Sequence, residues 1–309
     1  MYFITNKTLL RSNGNCTFEE SNEMSQSLRY CKMVNDTEFQ EIQSKPFMKA
    51  LMEAEEKEIL FYIHGFNNQP YDDIFPRAKA MQKQLNEANL NSIKVVPIIW
   101  PCDNDFGVIK DYWDDQDSAE QTGKIFSRSI SKLIGWQEEN ISNPCMKRMH
   151  VFAHSMGARV LVQCLKNWAN KFGGGGVPYL FKNVFLMASD IPNESLERGE
   201  DGEHIPQSAQ RVISYYANDD FAMPASKISN VRNMVFSRRI GHTGPEDMSK
   251  VPDNVYSVNC DSFNNEFDSP KGHSYFVDIE EEKSPAFQHV IKVLKTKQQD
   301  LGDRKQVIL

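Results

Sequence analysis

Val151-Phe152-Ala153-His154-Ser155-Met156-Gly157-Ala158-Arg159 carries an apolar run of strand length straight into an amphipathic stretch of helix length. Met149–Ala153 is predicted as a buried strand. From Gly157 to Trp168, Val160, Leu161, Cys164, Leu165 and Trp168 recur at the spacing of one helix face. Ser155 stands at the turn between the two. A turn this sharp strains the backbone of its central residue, and the residues two before and two after it must be small or strand and helix collide. Those neighbours are Ala153 and Gly157. This is the context in which the G-x-S-x-G pattern presents a nucleophilic serine, with alanine here in the first glycine position. The turn also puts Ser155 at a helix N-terminus, whose free N–H groups favour developing negative charge, so the Met156 N–H is expected to face an oxyanion. The competing reading is a serine that merely caps the helix.

Working outward, strand-length and helix-length segments alternate. Strands are expected at Ile59–Ile63, Ile93–Trp100, Asn183–Ala188, Arg211–Ala217 and Asn254–Asn259, with Pro97 removing one ladder bond. Helices are expected at Asp73–Ala88, Ser118–Trp136 and Pro285–Lys295. That alternation predicts an α/β fold with a mostly parallel central sheet, helices on both faces and right-handed crossovers. The first 55 residues read differently. Met1–Leu10 and Ser27–Val34 look like two strands of a hairpin added to one sheet edge, followed by a helix near Pro46–Glu56. The chain is therefore read as one domain over 1–309, with that extension in 1–55, a core in 56–297 and a frayed polar tail in 298–309. The glycine run Gly173–Gly176 follows a helix, the reverse of a phosphate loop, and reads as a surface loop.

Composition narrows the function classes. The 309 residues are 40% hydrophobic and 25% charged, enough for a sizeable core. A formal net charge of −7 makes nucleic acid a poor partner. The six cysteines are scattered without a C-x-x-C pair, which argues for reduced thiols and against zinc. No run approaches the ~18 apolar residues of a membrane span, and the N-terminus lacks a signal-peptide pattern, so the default location is cytoplasmic. No metal or organic cofactor is expected. The acidic stretch from Asp103 to Asp117 lacks calcium-loop spacing and reads as a solvated face.

The chemistry needs an oxyanion loop, an acid and a base. Phe61-Tyr62-Ile63-His64-Gly65-Phe66-Asn67-Asn68 runs from a strand into an irregular loop, where the second oxyanion donor of a nucleophile-elbow enzyme arises. Gly65 lets the backbone approach a substrate, and the Phe66 N–H is the expected donor. His64 is read as a packed histidine that fixes this loop, since it precedes the serine in the chain. His64, Asn67 and Trp100 are together assigned to the substrate side. Chain order for this architecture is serine, acid, histidine. Asp220, after the strand Arg211–Ala217, is the chosen acid, with Asp219 and Asp190 as alternatives. Among the later histidines, His273 in Gly272-His273-Ser274-Tyr275-Phe276 follows the last strand and is the chosen base, with His242 as its rival. The aromatic residues Trp100, Phe106, Tyr112 and Trp113 read first as loop anchors and second as walls of an acyl pocket.

Taken in order, these segments resemble a bacterial α/β-hydrolase family of unknown function. Its members show HGFN, WP, Y-x-x-D, AHSMG, an aspartate after a strand, a D-x-A-L-like segment and G-H-S-x-F. Here these are His64 to Asn67, Trp100-Pro101, Tyr112 to Asp115, Ala153 to Gly157, Asp190, Asp220 to Met223 and Gly272 to Phe276, over roughly residues 58 to 280. Met223 stands where leucine is usual, and Cys102 follows Trp-Pro where serine is usual. The resemblance implies the α/β-hydrolase fold and Ser155, Asp220 and His273 as a triad. It carries no single substrate. The expected activity is hydrolysis of a carboxylic ester, with thioester and amide as close variants and a small acyl molecule as partner. Acyl transfer, or a scaffold with an idle serine, are the alternatives. No long apolar insertion follows Asn183–Ala188, so short or soluble substrates are expected.

Overall fold

The computed structural model describes residues 1–19, 23–102, 108–220, 238–296 and 305–309, with 108–113 described by backbone alone. Twelve strands form one sheet: β1 (Tyr2–Lys7), β2 (Leu9–Ser12), β3 (Asn15–Phe18), β4 (Met24–Met33), β5 (Phe39–Glu41), β6 (Glu58–Ile63), β7 (Ile93–Ile99), β8 (Arg148–His154), β9 (Phe181–Met187), β10 (Ala209–Tyr216), β11 (Val255–Asn259) and β12 (Gln306–Ile308). The longer helices are α1 (Ser44–Glu53), α2 (Phe75–Glu87), α3 (Val108–Glu139), α4 (Gly157–Lys171) and α5 (Pro285–Lys295). Strand order is β12-β11-β10-β9-β8-β6-β7-β1-β4-β5-β3-β2. Pairing is parallel from β12 through β1 and antiparallel from β1 to β2.

Side chains alternate across the sheet, and helices cover both sides. Leu60, Tyr62, Phe152, Phe185 and Ile213 face one layer, where α2 contributes Phe75, Met81 and Leu85 and α5 contributes Phe287, Val290 and Ile291. Ile59, Ile63, Val151, Val184 and Leu186 face the other, against Phe47 of α1, Phe126 and Ile130 of α3, and Leu161 and Leu165 of α4. Phe152 shows how this packing works. It is fully buried, with its ring 6.0 Å from Tyr62, 5.1 Å from Phe276 and 6.1 Å from Phe287. Burying a ring of this size stabilises the fold by roughly 2–3 kcal/mol. No helix among the described residues is long and apolar enough to cross a membrane. The 32-residue α3 has the length but is amphipathic.

Two expectations need correction. The N-terminal extension has five strands, not two. Met1–Leu10 breaks at Thr8, and β2–β3 is a hairpin of its own whose two-residue turn is Asn13-Gly14, at φ 50° and 82°. Such a turn needs positive φ at both positions, and Asn-Gly supplies it. The expected pairing of the first strand with Ser27–Val34 is present as antiparallel β1–β4, but β1 also joins β7 in parallel and so welds the extension to the core sheet. The tail does not fray throughout, because β12 pairs with β11. Pro97 lies in an interior strand. The β1–β7 ladder begins just beyond it, at Ile4 opposite Ile98.

What matters for function is the order around β6. The chain leaves β6 for β7 on one side, then crosses back to β8 on the other. The loops after β6 and β8 therefore part at the carboxyl ends of two neighbouring strands. Such a switch point opens a crevice where ligands of open α/β sheets bind.

Candidate active site

Ser155 follows the last residue of β8 and has φ 51°, in the left-handed region. A non-glycine residue there costs about 1–3 kcal/mol and persists only where its surroundings enforce it. They do so through β9: the Ser155 N–H donates to Met187 O at 2.9 Å, and the Asp190 N–H donates to Ser155 O at 3.0 Å. The capping reading of Ser155 is not met. The N-cap of α4 is Met156, and no side chain caps it. The Ala158 and Arg159 N–H groups donate to Ser155 O and Met156 O at 3.1 and 3.0 Å, and the helix start carries the positive end of the dipole.

The two loops touch. A Cβ on Gly157 would stand 2.6 Å from the carbonyl oxygens of Ile63 and His64, so only glycine fits against the end of β6. A Cβ on Gly65 would stand 2.7 Å from His154 Nδ1 and 2.9 Å from Ser155 Cβ. The loop after β6 thereby runs directly over the serine turn. Phe66 and Asn67 are half-buried on it, and Asn67 has φ 55°. Asn68 braces it from below: its side-chain amide donates to Phe66 O, and its Oδ1 accepts from Arg77.

His64 and Trp100 sit differently from the expectation that they line a substrate surface. Both are fully buried. Their rings stack at 5.0 Å and 5°. The Trp100 backbone N–H donates to His64 Nε2 at 3.0 Å, and the Trp100 indole N–H donates to His64 O at 2.9 Å. With Nε2 accepting, Nδ1 carries the proton and donates to Gly65 O at 2.9 Å. Burial drives the His64 pKa down to about 3, so the ring stays neutral. The pair is a post under the loop, as the packed reading of His64 expects. Cys102 adds to it, its thiol donating to Asn68 O at 3.2 Å.

His273 Nδ1 lies 2.6 Å from Asp220 Oδ2, and Asp220 is fully buried after the end of β10. Burial alone would lower the His273 pKa. The charge and hydrogen bond of Asp220, with the charges of Asp268 and Asp190, outweigh it and hold the pKa above the usual 6.5. The imidazole lies 4.9 Å, ring to ring, from His154, the residue before Ser155. His154 Nε2 approaches the His273 carbonyl at 3.4 Å. Burial, followed by the proximity of His273, keeps His154 well below its ordinary pKa, so His154 is neutral.

The alternatives are engaged elsewhere. Asp190 lies between two guanidinium groups, 3.2 Å from Arg159 Nε and 3.0 Å from Arg239 Nε. Asp219 accepts from the side-chain amides of Asn264 and Asn265. His242 belongs to the short helical turn Ile240–Thr243. His204 meets Gln207 and His289 meets Tyr215. Phe221, Ala222, Met223, Asp103, Asp105 and Phe106 lie outside the described residues, as do the side chains of Asp111, Tyr112 and Trp113.

Sequence reasoning missed the groups that hold the histidine loop. Asp268 Oδ2 accepts from the backbone N–H of His273 at 2.9 Å and of Ser274 at 2.6 Å. Gly272, at φ 61°, passes so close to Asn264 and Asn265 that a Cβ would stand 2.6 and 2.7 Å from them. Asn264 ties that loop to Asp219, beside the proposed acid. The one available signal was an Asp four residues ahead of a Gly-His pair, too common a pattern to single out.

Comparison with known families bears directly on this arrangement. Residues 40–277 match a family described as an alpha/beta hydrolase of unknown function (DUF900). Comparison with curated proteins found no match. The matched span holds the serine turn, the loop after β6, Asp220 and His273. The chain belongs to this α/β-hydrolase family.

Proposed function

We propose that the protein is a serine hydrolase that cleaves a carboxylic ester, with thioesters and amides as close variants, through an acyl-enzyme on Ser155. The observation that carries this reading is the pairing of His273 with buried Asp220 next to a strained serine turn, where His154 bridges from one to the other. His273 takes the Ser155 Oγ proton as Oγ bonds to the acyl carbon. The carbonyl electron pair moves onto oxygen, where the N–H groups of Phe66 and Met156 receive the negative charge. Collapse breaks the bond to the leaving oxygen, to which His273 returns the proton. Water then repeats the sequence and frees the acid. Asp220 accepts a hydrogen bond from Nδ1–H throughout, fixing the tautomer and stabilising the imidazolium. Asn67, half-buried on the loop after β6, stands on the substrate side.

The test is labelling with a fluorophosphonate, followed by turnover of chromogenic esters of graded chain length. Wild type is expected to label once and Ser155→Ala not at all. Labelling that persists in Ser155→Ala moves the nucleophile elsewhere. Folded wild type that does not label at all returns the chain to the idle-scaffold reading.

A further inference from the structure

An apolar cavity among the described residues is separate from Ser155 in lining and in character. It occupies about 130 Å³ between the sheet and helices α1, α3 and α4. Its walls include Phe47, Leu51, Phe126, Trp136, Leu161 and Leu165, and Ser155 and His273 are not among them. Apolar cavities of this size stay dry and take apolar guests. One polar group points to more than a packing void: the Tyr30 hydroxyl on its wall is buried and has no partner among the described residues.

The lower end of the cavity shares four wall residues, Lys147, Met149, Leu180 and Phe181, with a cleft at the amino-terminal edge of the sheet. That cleft is of opposite character. Lys147, Arg148, Lys182 and Arg211 line it, and no carboxylate is among its lining residues. Glu58 sits close by, 3.5 Å from Arg148 and 3.8 Å from Lys182, and the Glu56 carboxylate is near enough to Lys147 to feel its charge. In a chain of formal net charge −7, this is a local cationic concentration. Arg211 is almost fully buried, and its Nη1 has no partner among the described residues. Burying a guanidinium with an unmade bond is costly. Beside this end stand two large apolar side chains, Met146 at 84% and Tyr179 at 68% exposure. Exposed apolar groups flanking a charged cleft mark a surface that meets an amphipathic ligand.

We propose that this end of the molecule binds a single-chain anionic amphiphile of the fatty-acid class, its alkyl chain in the cavity under α1, α3 and α4 and its carboxylate in the Lys147–Arg148–Lys182–Arg211 cleft. The chain supplies the apolar surface the cavity lacks, and the carboxylate meets a cleft of four cations, in which Lys147 is held by the Ala54 and Glu56 carbonyls and Arg148 and Lys182 share the one carboxylate of Glu58. This site is separate from the Ser155 reading and does not depend on it.

Trp136 on the cavity wall provides the readout. In wild-type protein, 11-bromoundecanoate is expected to quench tryptophan fluorescence saturably, since bromine quenches an indole it touches. The quench is lost in Trp136→Phe, while undecanoate still binds by calorimetry at one per chain. Affinity is expected to rise about fourfold per added methylene from octanoate until the cavity is full. Undecylamine, with the same chain and opposite charge, is expected to bind at least about tenfold more weakly. The double variant Arg148→Gln/Lys182→Gln weakens undecanoate by about tenfold and leaves undecanol unchanged. Blocking Ser155 with fluorophosphonate leaves binding intact. Quenching that persists in Trp136→Phe, equal affinity for acid and amine, or loss of binding on blocking Ser155 would each overturn the proposal. So would binding to anionic vesicles without binding of the monomeric acid.

Discussion

The same sheet holds two histidine–carboxylate pairs, one at each end and each with one fully buried member, and their surroundings drive the two imidazoles in opposite directions. At the carboxyl end, His273 meets Asp220 at 2.6 Å, and its pKa is raised. At the amino end, His150 meets Glu58 at 2.8 Å, and its pKa is lowered. Burial opposes charge on both rings. Around His273 three carboxylates, Asp220, Asp268 and Asp190, overcome it. Around His150 burial wins: Glu58 is shared with Arg148 and Lys182, and the charges of Lys182 and Arg211 add to the lowering. His150 is instead one link in a chain across four strands. Arg211 Nε donates to Asn183 Oδ1 at 2.7 Å, the Asn183 amide donates to His150 Nδ1 at 2.8 Å, and His150 Nε2 faces Glu58. Pairing a histidine with a carboxylate does not by itself make a base. The charge around the pair decides whether the ring works as a proton carrier or as a fixed strut.

The sharpest way to break this comparison is to remove each ring in turn. His273→Ala is expected to lower turnover by about 10⁶, as the loss of a catalytic histidine does elsewhere, and also to lower the melting temperature, because buried Asp220 loses its partner. His150→Ala should leave kcat/KM within a few-fold of wild type and cost roughly 2–4 kcal/mol of stability, because Glu58 and Asn183 lose a buried partner. Equal effects of the two variants on rate would erase the distinction.

Asp220→Asn comes next, with a loss of about 10⁴ in kcat, since the amide favours the wrong tautomer. It also sharpens the electrostatic claim. His273 must be neutral to accept a proton, and its raised pKa places the acid limb of the wild-type kcat/KM profile above pH 6.5. Removing the Asp220 charge should move that limb to lower pH. A limb that stays put, or a rate near wild type, would shift the acid to Asp190, despite its two arginine partners.

Gly157→Ala tests the close approach of the loops. Its Cβ would meet two carbonyl oxygens at 2.6 Å, so the β6 loop and the proposed oxyanion donors on it must shift. A displacement near 1 Å costs about a hundredfold in rate. A crystal structure of the variant with both loops unmoved and activity retained would count against it.

The smallest expected effect lies in stability against pH. His64 and His289 have folded pKa values pushed down to about 3 and about 4, against 6.5 unfolded, and His150 and His154 are lowered too. Below pH 6.5 the unfolded chain binds protons that these folded rings refuse, so stability falls as pH drops. His273 acts with the opposite sign: its stabilising contribution is present below 6.5 and lost as pH rises through its folded value. Four rings against one predict a melting temperature that drops by a few degrees from pH 6.5 to 5. A flat profile would mean that these four rings are not buried as neutral groups.

Much of the carboxyl end could be read from local pattern. Strand, serine and small residues at −2 and +2 lie within seven positions, from Phe152 to Ala158, and the physical demand on them is local. The His64-Gly65 loop was legible for the same reason. The amino-end chain was not. Glu58, His150, Asn183 and Arg211 are scattered over more than 150 residues, and each alone is an ordinary polar residue near the start of a strand. Only parallel registration brings them into line, Glu58 opposite Arg148 and His150 opposite Asn183. The Asn13-Gly14 hairpin was a different case: its signal was present in the sequence and passed over.

From sequence alone followed the alternation of strand and helix, the parallel core, the serine turn, and the choice of His273 and Asp220 by chain order. These depend on periodicity and on steric limits that act within a few residues. Tertiary structure alone decided that β1 binds the extension to the core sheet, that His64 and Trp100 form a post and not a surface, and that Asp268 holds the histidine loop. It alone also decided which way each buried imidazole titrates. A pKa sums burial and every nearby charge, and those charges come from elements that only folding brings together.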